Sequence, residues 1–139
     1  MREIIFRGKT KGNGIWVCGD LRQYPSGKIA IKDDRMLHMA EVIPATVGQY
    51  TGLTDKNGKK IFEGDVLCVK HLCSDDEMHI VAFDDGAFGT RKIIFNGLSS
   101  GFVVAFADGE FGLLAEYTEV IGNIHDNPEM LKGGSSDGR

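Results

Sequence analysis

An all-β fold is predicted for this 139-residue chain, and three observations predict it. No window places apolar residues at i, i+3, i+4 and i+7 through three turns without an interrupting glycine, so long helices are not expected. Short β-prone runs alternate with turn signals along most of the length. Glycine is frequent, at 19 residues, and proline scarce, at 3, which suits many tight turns and neither a collagen-like repeat nor a proline-rich linker. With 42% apolar and 26% charged residues, the composition is that of a chain that folds around a core.

The first runs are Glu3 to Lys9, Gly14 to Gln23, Lys28 to Lys32 and His38 to Ile43, divided by Lys11-Gly-Asn-Gly14 and Pro25-Ser-Gly27. They predict two hairpins in an N-terminal region over residues 1–45. In the second run Ile15, Val17, Gly19 and Leu21 share one parity and Trp16, Cys18, Asp20 and Arg22 the other. A strand separates these sets onto two faces, and Trp16 is expected to cover a small core or a protein contact.

Pro44 restrains Ile43 to an extended conformation, and Thr46 to Leu53 reads as an irregular, glycine-containing segment. The boundary with a main domain over residues 46–126 is placed here. Asp55-Lys-Asn-Gly58 is a strong turn signal, with Lys59 to Phe62 leaving it as a strand. Glu63-Gly64-Asp65 ahead of Val66 to Lys70 has the glycine bend by which small SH3-like barrels enter a long curved strand. Met78 to Phe83, Arg91 to Asn96 and Gly101 to Ala107 follow, separated by Asp84-Asp-Gly86 and Asn96-Gly97, with Leu113 to Ile124 as a last extended segment. Strands at this spacing favour a barrel or sandwich. Asn127-Pro128 starts a short helical turn through Leu131, and Lys132 to Arg139 is expected to be disordered, which makes residues 127–139 a tail.

Charge is unevenly spread. Residues 1–70 hold 12 basic and 8 acidic side chains, and residues 71–139 hold 4 and 12, for a net charge of −4. Such polarity allows head-to-tail self-association or an oriented partner, but two differently solvated faces are the simpler and preferred account of it. Cys18, Cys68 and Cys73 are odd in number and lack framework spacing, so no disulfide is expected and a reducing compartment fits. The apolar core of MREIIFRGKT is too short for a signal peptide, and Phe102 to Ala107 is too short to span a bilayer. A cytoplasmic protein with no membrane contact is expected.

Glu41-Val-Ile-Pro44, Thr46-Val-Gly-Gln-Tyr-Thr-Gly-Leu53 and Asp55-Lys-Asn-Gly-Lys-Lys-Ile-Phe-Glu-Gly-Asp65 together strongly resemble the YopX-like family of phage and prophage proteins. Phe6-Arg-Gly-Lys9, Trp16-Val17, Gly19-Asp-Leu21, Glu119-Val-Ile-Gly-Asn-Ile124 and Asn127-Pro-Glu129 extend the likeness to all but the tail. The resemblance implies an all-β architecture with an SH3-like barrel in the C-terminal part. It implies no reaction and supplies no functional residues. The acidic, cysteine-bearing stretch Cys73-Ser-Asp-Asp-Glu77 departs from the pattern.

Candidate chemistry is sparse. Cys68, His71 and Cys73, with His79 nearby, are soft metal ligands, but Cys68 and His71 fall on opposite faces of one strand, so no metal is expected without a bulge between them. Glu63, Asp65, Asp75, Asp76, Asp84, Asp85, Asp108 and Glu110 offer carboxylates for acid–base work, yet most sit in turn-like sequence where they bond their own backbone. His38, His71, His79 and His125 have no nucleophile motif around them, and no phosphate loop or dinucleotide fingerprint occurs. No catalytic residue and no cofactor are therefore expected.

Two binding surfaces are weighed. Trp16, Gln49 and Tyr50 are candidates for a protein partner, with Tyr50 either an exposed anchor or a ring packed under the hairpin. Arg2, Arg7, Lys9 and Lys11, near Phe6 and Trp16, are candidates for nucleic acid, against which stand the negative total charge and a pI of about 5.5. The expected function is a non-enzymatic phage or prophage accessory protein that binds a phage or host protein and self-associates, with nucleic-acid binding as the alternative and a small enzyme as a remote one.

Overall fold

The computed structural model describes residues 4–69, 77–84, 87–94, 97–98 and 118–132. The expected strand Gly101 to Ala107 and the tail beyond Lys132 lie outside them. Eleven strands and two 3₁₀ turns make up the described elements, so the fold is all-β. No helix among the described residues is long and apolar enough to cross a membrane. The chain divides into two compact units, residues 1–52 and 53–139. The boundary read from the sequence falls inside the 3₁₀ turn Pro44–Thr46, just ahead of the strand that runs from the first unit into the second.

In the first unit β1 (Phe6–Lys9), β2 (Trp16–Gln23), β3 (Ile29–Lys32) and β4 (Ala40–Val42) are antiparallel in sequence order. Both expected turns are present, at residues 11–13 and 25–27. The far side of β4 is not left open. Ile43 N–H donates to the Lys9 carbonyl at 2.8 Å, Lys11 N–H donates to the Glu41 carbonyl at 3.0 Å, and Thr10 bridges Val42. The two hairpins thus close on each other, and Val17, Ile31 and Val42 pack inside with Phe6, Leu21 and Ile29 around them.

Closure depends on a handover within β2. Its residues 16–19 pair with β1 and residues 20–23 pair with β3. Gly19 stands at the change of partner, where an added Cβ would lie 1.9 Å from the Lys32 carbonyl oxygen. Only glycine allows the two backbones that approach.

β5 (Gly48–Thr54) is the main departure from the sequence reading, which took this segment as irregular. It is a strand because β1 offers a free edge: Phe6 pairs with Gln49, Arg7 with Gly48, and Tyr50 N–H donates to the Ile5 carbonyl at 2.8 Å. A ladder of backbone bonds outweighs the weak strand preference of two glycines.

The second unit begins with the hairpin from β5 to β6 (Lys60–Phe62). Its turn closes with Asp55 N–H to the Lys59 carbonyl at 2.8 Å and Gly58 in the left-handed region at φ 83°. The following β7 (Asp65–Val69), β8 (Glu77–Asp84), β9 (Ala87–Ile94), β10 (Gly97–Leu98) and β11 (Thr118–Asn123) form an antiparallel sheet of order β10-β9-β8-β7-β11. β8 is the central strand of that sheet, and its neighbour β7 feeds both sides: Ile61, Leu67 and Val81 pack on one side, and Val66, Ile80 and Ile93 on the other. The expected helical turn is the 3₁₀ turn Pro128–Lys132, whose Met130 packs on that second cluster.

Gly19→Ala should destabilise the protein by about 3 kcal/mol through overpacking against backbone, whereas Gly12→Ala, with nothing within 4 Å of the added Cβ, should change it by less than about 0.5 kcal/mol. Urea denaturation of both variants checks the contrast, and equal midpoints would refute the handover.

Candidate functional site

Alternation along β2 turns Val17 and Leu21 toward the core of the first unit and leaves Cys18, Asp20 and Arg22 exposed, with Trp16 half-buried. The register sets Lys9 opposite Trp16 and Arg7 opposite Cys18, so both cations share the outward face with the indole. The Arg7 guanidinium carbon lies 4.8 Å from the Trp16 ring centroid and Lys9 Nζ 5.6 Å. At the other end of β2 the arrangement repeats: the Arg22 guanidinium is 5.1 Å and Lys28 Nζ 5.2 Å from the Tyr24 ring. A cation over an aromatic face is attracted to the ring quadrupole, by about 0.5–1 kcal/mol at exposed sites. The outward face of β1 and β2 therefore carries two aromatic rings, each with two positive charges held against it.

The sequence candidates distribute as follows. Arg7, Lys9 and Trp16 come together. Lys11 is turned to Glu41, at 3.1 Å with both side chains exposed. Arg2 lies outside the described residues. Gln49 is half-buried opposite Phe6, and Tyr50 is only 6% exposed, which leaves little ring for a partner to reach. The Tyr24 cluster went unread in the sequence, although a signal existed: the Pro25-Ser-Gly27 turn places Lys28 across from Tyr24, whose N–H donates to the Lys28 carbonyl at 2.9 Å.

Behind this face Asp33 anchors the end of β3. Its carboxylate accepts from the Cys18 N–H at 2.9 Å and from the Arg35 N–H at 3.0 Å, and meets the Arg35 side chain in two bonds at 2.9 and 2.7 Å. The Arg35 guanidinium, aided by the Cys18 amide, holds this carboxyl well below the ordinary carboxylate range. In the second unit, burial pushes the Asp55 carboxyl up, but amides of Val120, Lys59 and Asn57 outweigh it and the net shift is downward.

The metal and acid candidates have structural roles where they are described. Cys68 is half-buried in β7 between Met78 and Glu119, while His71 and Cys73 lie outside the described residues. His79 has both ring nitrogens engaged, Nδ1 at 2.9 Å from Thr90 Oγ1 and Nε2 at 3.0 Å from Glu77 Oε1. Among the described residues no three His, Cys, Asp or Glu side chains could hold a metal ion. Asp65, 1% exposed, accepts from the Phe62 N–H at 2.8 Å and so fixes the Glu63-Gly64 turn. Asp84 ends β8, and Asp75, Asp76, Asp85, Asp108 and Glu110 lie outside the described residues.

Glu77, His79 and Thr90 form a carboxylate–imidazole–hydroxyl chain that sequence reading missed, because only the β8–β9 register brings Thr90 alongside. The order is that of a nucleophile relay. Thr90 is 2% exposed, however, so its hydroxyl is buried away from any substrate in solution.

The family model described as YopX protein matches residues 5–132. The crystal structure of protein EF1440 from Enterococcus faecalis is similar to this chain with a TM-score of 0.52 and 25% identity, covering 94% of this chain and 99% of that one. No curated protein matches.

Asp33 and Asp55 both titrate lower in the folded chain than in the unfolded one. The stability they add is therefore complete above the ordinary carboxylate pKa of about 4 and is lost as pH falls through the folded-state values. Thermal melts taken downward from about pH 7 should fall steeply below about pH 4, and Asp33→Asn should flatten that acid limb while lowering stability at neutral pH. An acid limb parallel to that of the wild type would contradict the assignment.

Proposed function

We propose, from the premise that this chain belongs to the YopX protein family, that it is a non-enzymatic interaction module of a phage or prophage, acting in the bacterial cytoplasm through the outward face of its first unit. The observation that carries this reading is the half-buried Trp16 with Arg7 and Lys9 held against its ring. Tryptophan and arginine are the residues most enriched where a few side chains dominate binding. Packing of the cations around the indole limits the rotamer freedom a partner would otherwise have to freeze out. Ile43, 37% exposed, borders the same row through its backbone bond to Lys9.

Self-association is the second part of the reading, and the division of charge favours it. The first unit holds 8 basic and 5 acidic side chains, the second 8 and 15. Opposite fields steer two copies toward a head-to-tail encounter.

Affinity capture of the tagged full-length protein from phage-infected or prophage-induced cells, with and without nuclease, tests the working face. Trp16→Ala and the exposed-site variant Arg22→Glu should each recover the specific partner about ten-fold less well than the wild type. Undiminished recovery by both would remove this face from the proposal.

Light scattering tests the second part. A defined oligomer at low salt should shrink as salt rises and be weakened by Lys9→Glu; a strict monomer at the highest attainable concentration would exclude self-association.

A further inference from the structure

We infer that the ligand of the outward face is single-stranded nucleic acid, laid along β2 with bases against Trp16 and Tyr24 and phosphates on Arg7, Lys9, Arg22 and Lys28. This rests on the reading of that face as the working surface and names what the surface holds.

The two-residue strand period sets Trp16, Cys18, Asp20 and Arg22 on one side of β2, and Tyr24 follows at the same parity. Eight residues at about 3.3 Å each separate the two rings by at most about 26 Å. That span suits an extended strand of a few nucleotides, at the low end of the roughly 4–16 that a single OB-fold covers. Each ring has two cations within 6 Å, at 4.8 and 5.6 Å for Trp16 and at 5.1 and 5.2 Å for Tyr24. A base stacked at either ring thus finds charge for its phosphate in the same cluster. Stacking plus a cationic track is the means by which proteins hold single strands without reading sequence.

The negative total charge does not oppose this. Exposed charges are screened beyond about 8 Å at physiological salt, and the acidic excess belongs to the second unit. Between the two rings on β2 the face carries one carboxylate, Asp20. Trp16, Tyr24, Arg7 and Arg22 are of types that suit a protein interface too, but Lys9, Lys28 and Asp20 are of types depleted from the closely packed centre of one, and on that count a protein partner fits the stripe less well. Here exposed Cys18, Asp20 and Arg22 fill the interval between the rings. Duplex fits less well too, since its bases are already stacked on one another.

Trp16 is the only tryptophan in the chain, so its emission reports on that ring alone. The full-length protein is titrated with oligo(dT) of about 15 nucleotides. Saturable quenching is expected. Four phosphate contacts give a salt slope of about −3, a weakening of roughly fifty-fold between about 50 and about 200 mM salt. Arg22→Ala with Lys28→Ala, at exposed positions that keep the fold, should halve that slope. Trp16→Leu, followed by anisotropy of labelled oligonucleotide, should bind about ten-fold more weakly.

In the titration, three results overturn the inference: no quenching at the lowest salt; an equal response to duplex of the same length; or emission that follows protein concentration and ignores oligonucleotide, which puts a second copy on the face. Nuclease-resistant capture that still depends on Trp16 would leave the working face standing while this ligand falls. Capture independent of Trp16 and Arg22 would remove the face itself.

Discussion

Short strands end often, and wherever a ladder ends an amide N–H is left to satisfy. Buried aspartates meet that constraint in this protein. Asp33 takes over where β3 stops and accepts from the Cys18 amide of β2. Asp55 accepts from Asn57 and Lys59 within its own turn and from Val120 of β11, at 2.8, 2.9 and 2.9 Å. Asp65 accepts from Phe62 across the turn into β7. In Asp33 and Asp55 the charge is stabilised by amides and, for Asp33, by Arg35, so these two carboxylates are worth more than neutral side chains would be. Carboxylates that look like turn polarity in the sequence are the ties between strands.

The outward face of the first unit follows from the same constraint. Asp33 bonds the backbone of Cys18, one residue before the Gly19 handover, and so sets where β2 leaves β1 for β3. With β2 held there, alternation sends Val17 and Leu21 inward and Trp16, Cys18, Asp20 and Arg22 outward. Closure of β4 onto the end of β1 brings Ile43 beside Lys9, and the β1 register brings Lys9 beside Trp16. The binding surface is in this sense the reverse side of the core. The second unit shows a different economy, with apolar clusters on both sides of its sheet and the polar chain Glu77, His79 and Thr90 alongside one of them.

Most elements were legible because turn chemistry is local. Pro25-Ser-Gly27 and Asp55-Lys-Asn-Gly58 mark reversals whatever surrounds them, and the strands between them follow from β-prone runs. β5 was not legible: Gly48 and Gly52 blur its pattern, and its partners are β1, along Gly48 and Gln49, and β6, across the Asp55 turn. The resemblance carried by residues 41–65 pointed to the family that the match over residues 5–132 shows. At the candidate site, Arg7, Lys9 and Trp16 were named from proximity in sequence, while Arg22, Tyr24 and Lys28 required a hairpin to meet. Tyr50 went the other way, its two roles separated only by burial.

Residue order alone determined the all-β class, the two N-terminal hairpins, the inward and outward sets of β2 and the family, since each depends on neighbours a few positions apart. Tertiary structure decided which edges meet. It closed β4 on β1, recruited Gly48–Thr54 as a strand, tied the Asp55 turn to Val120 and set Thr90 against His79. Those outcomes depend on hydrogen-bond demand between segments far apart in the chain, and no local pattern records which distant edge will supply the partner.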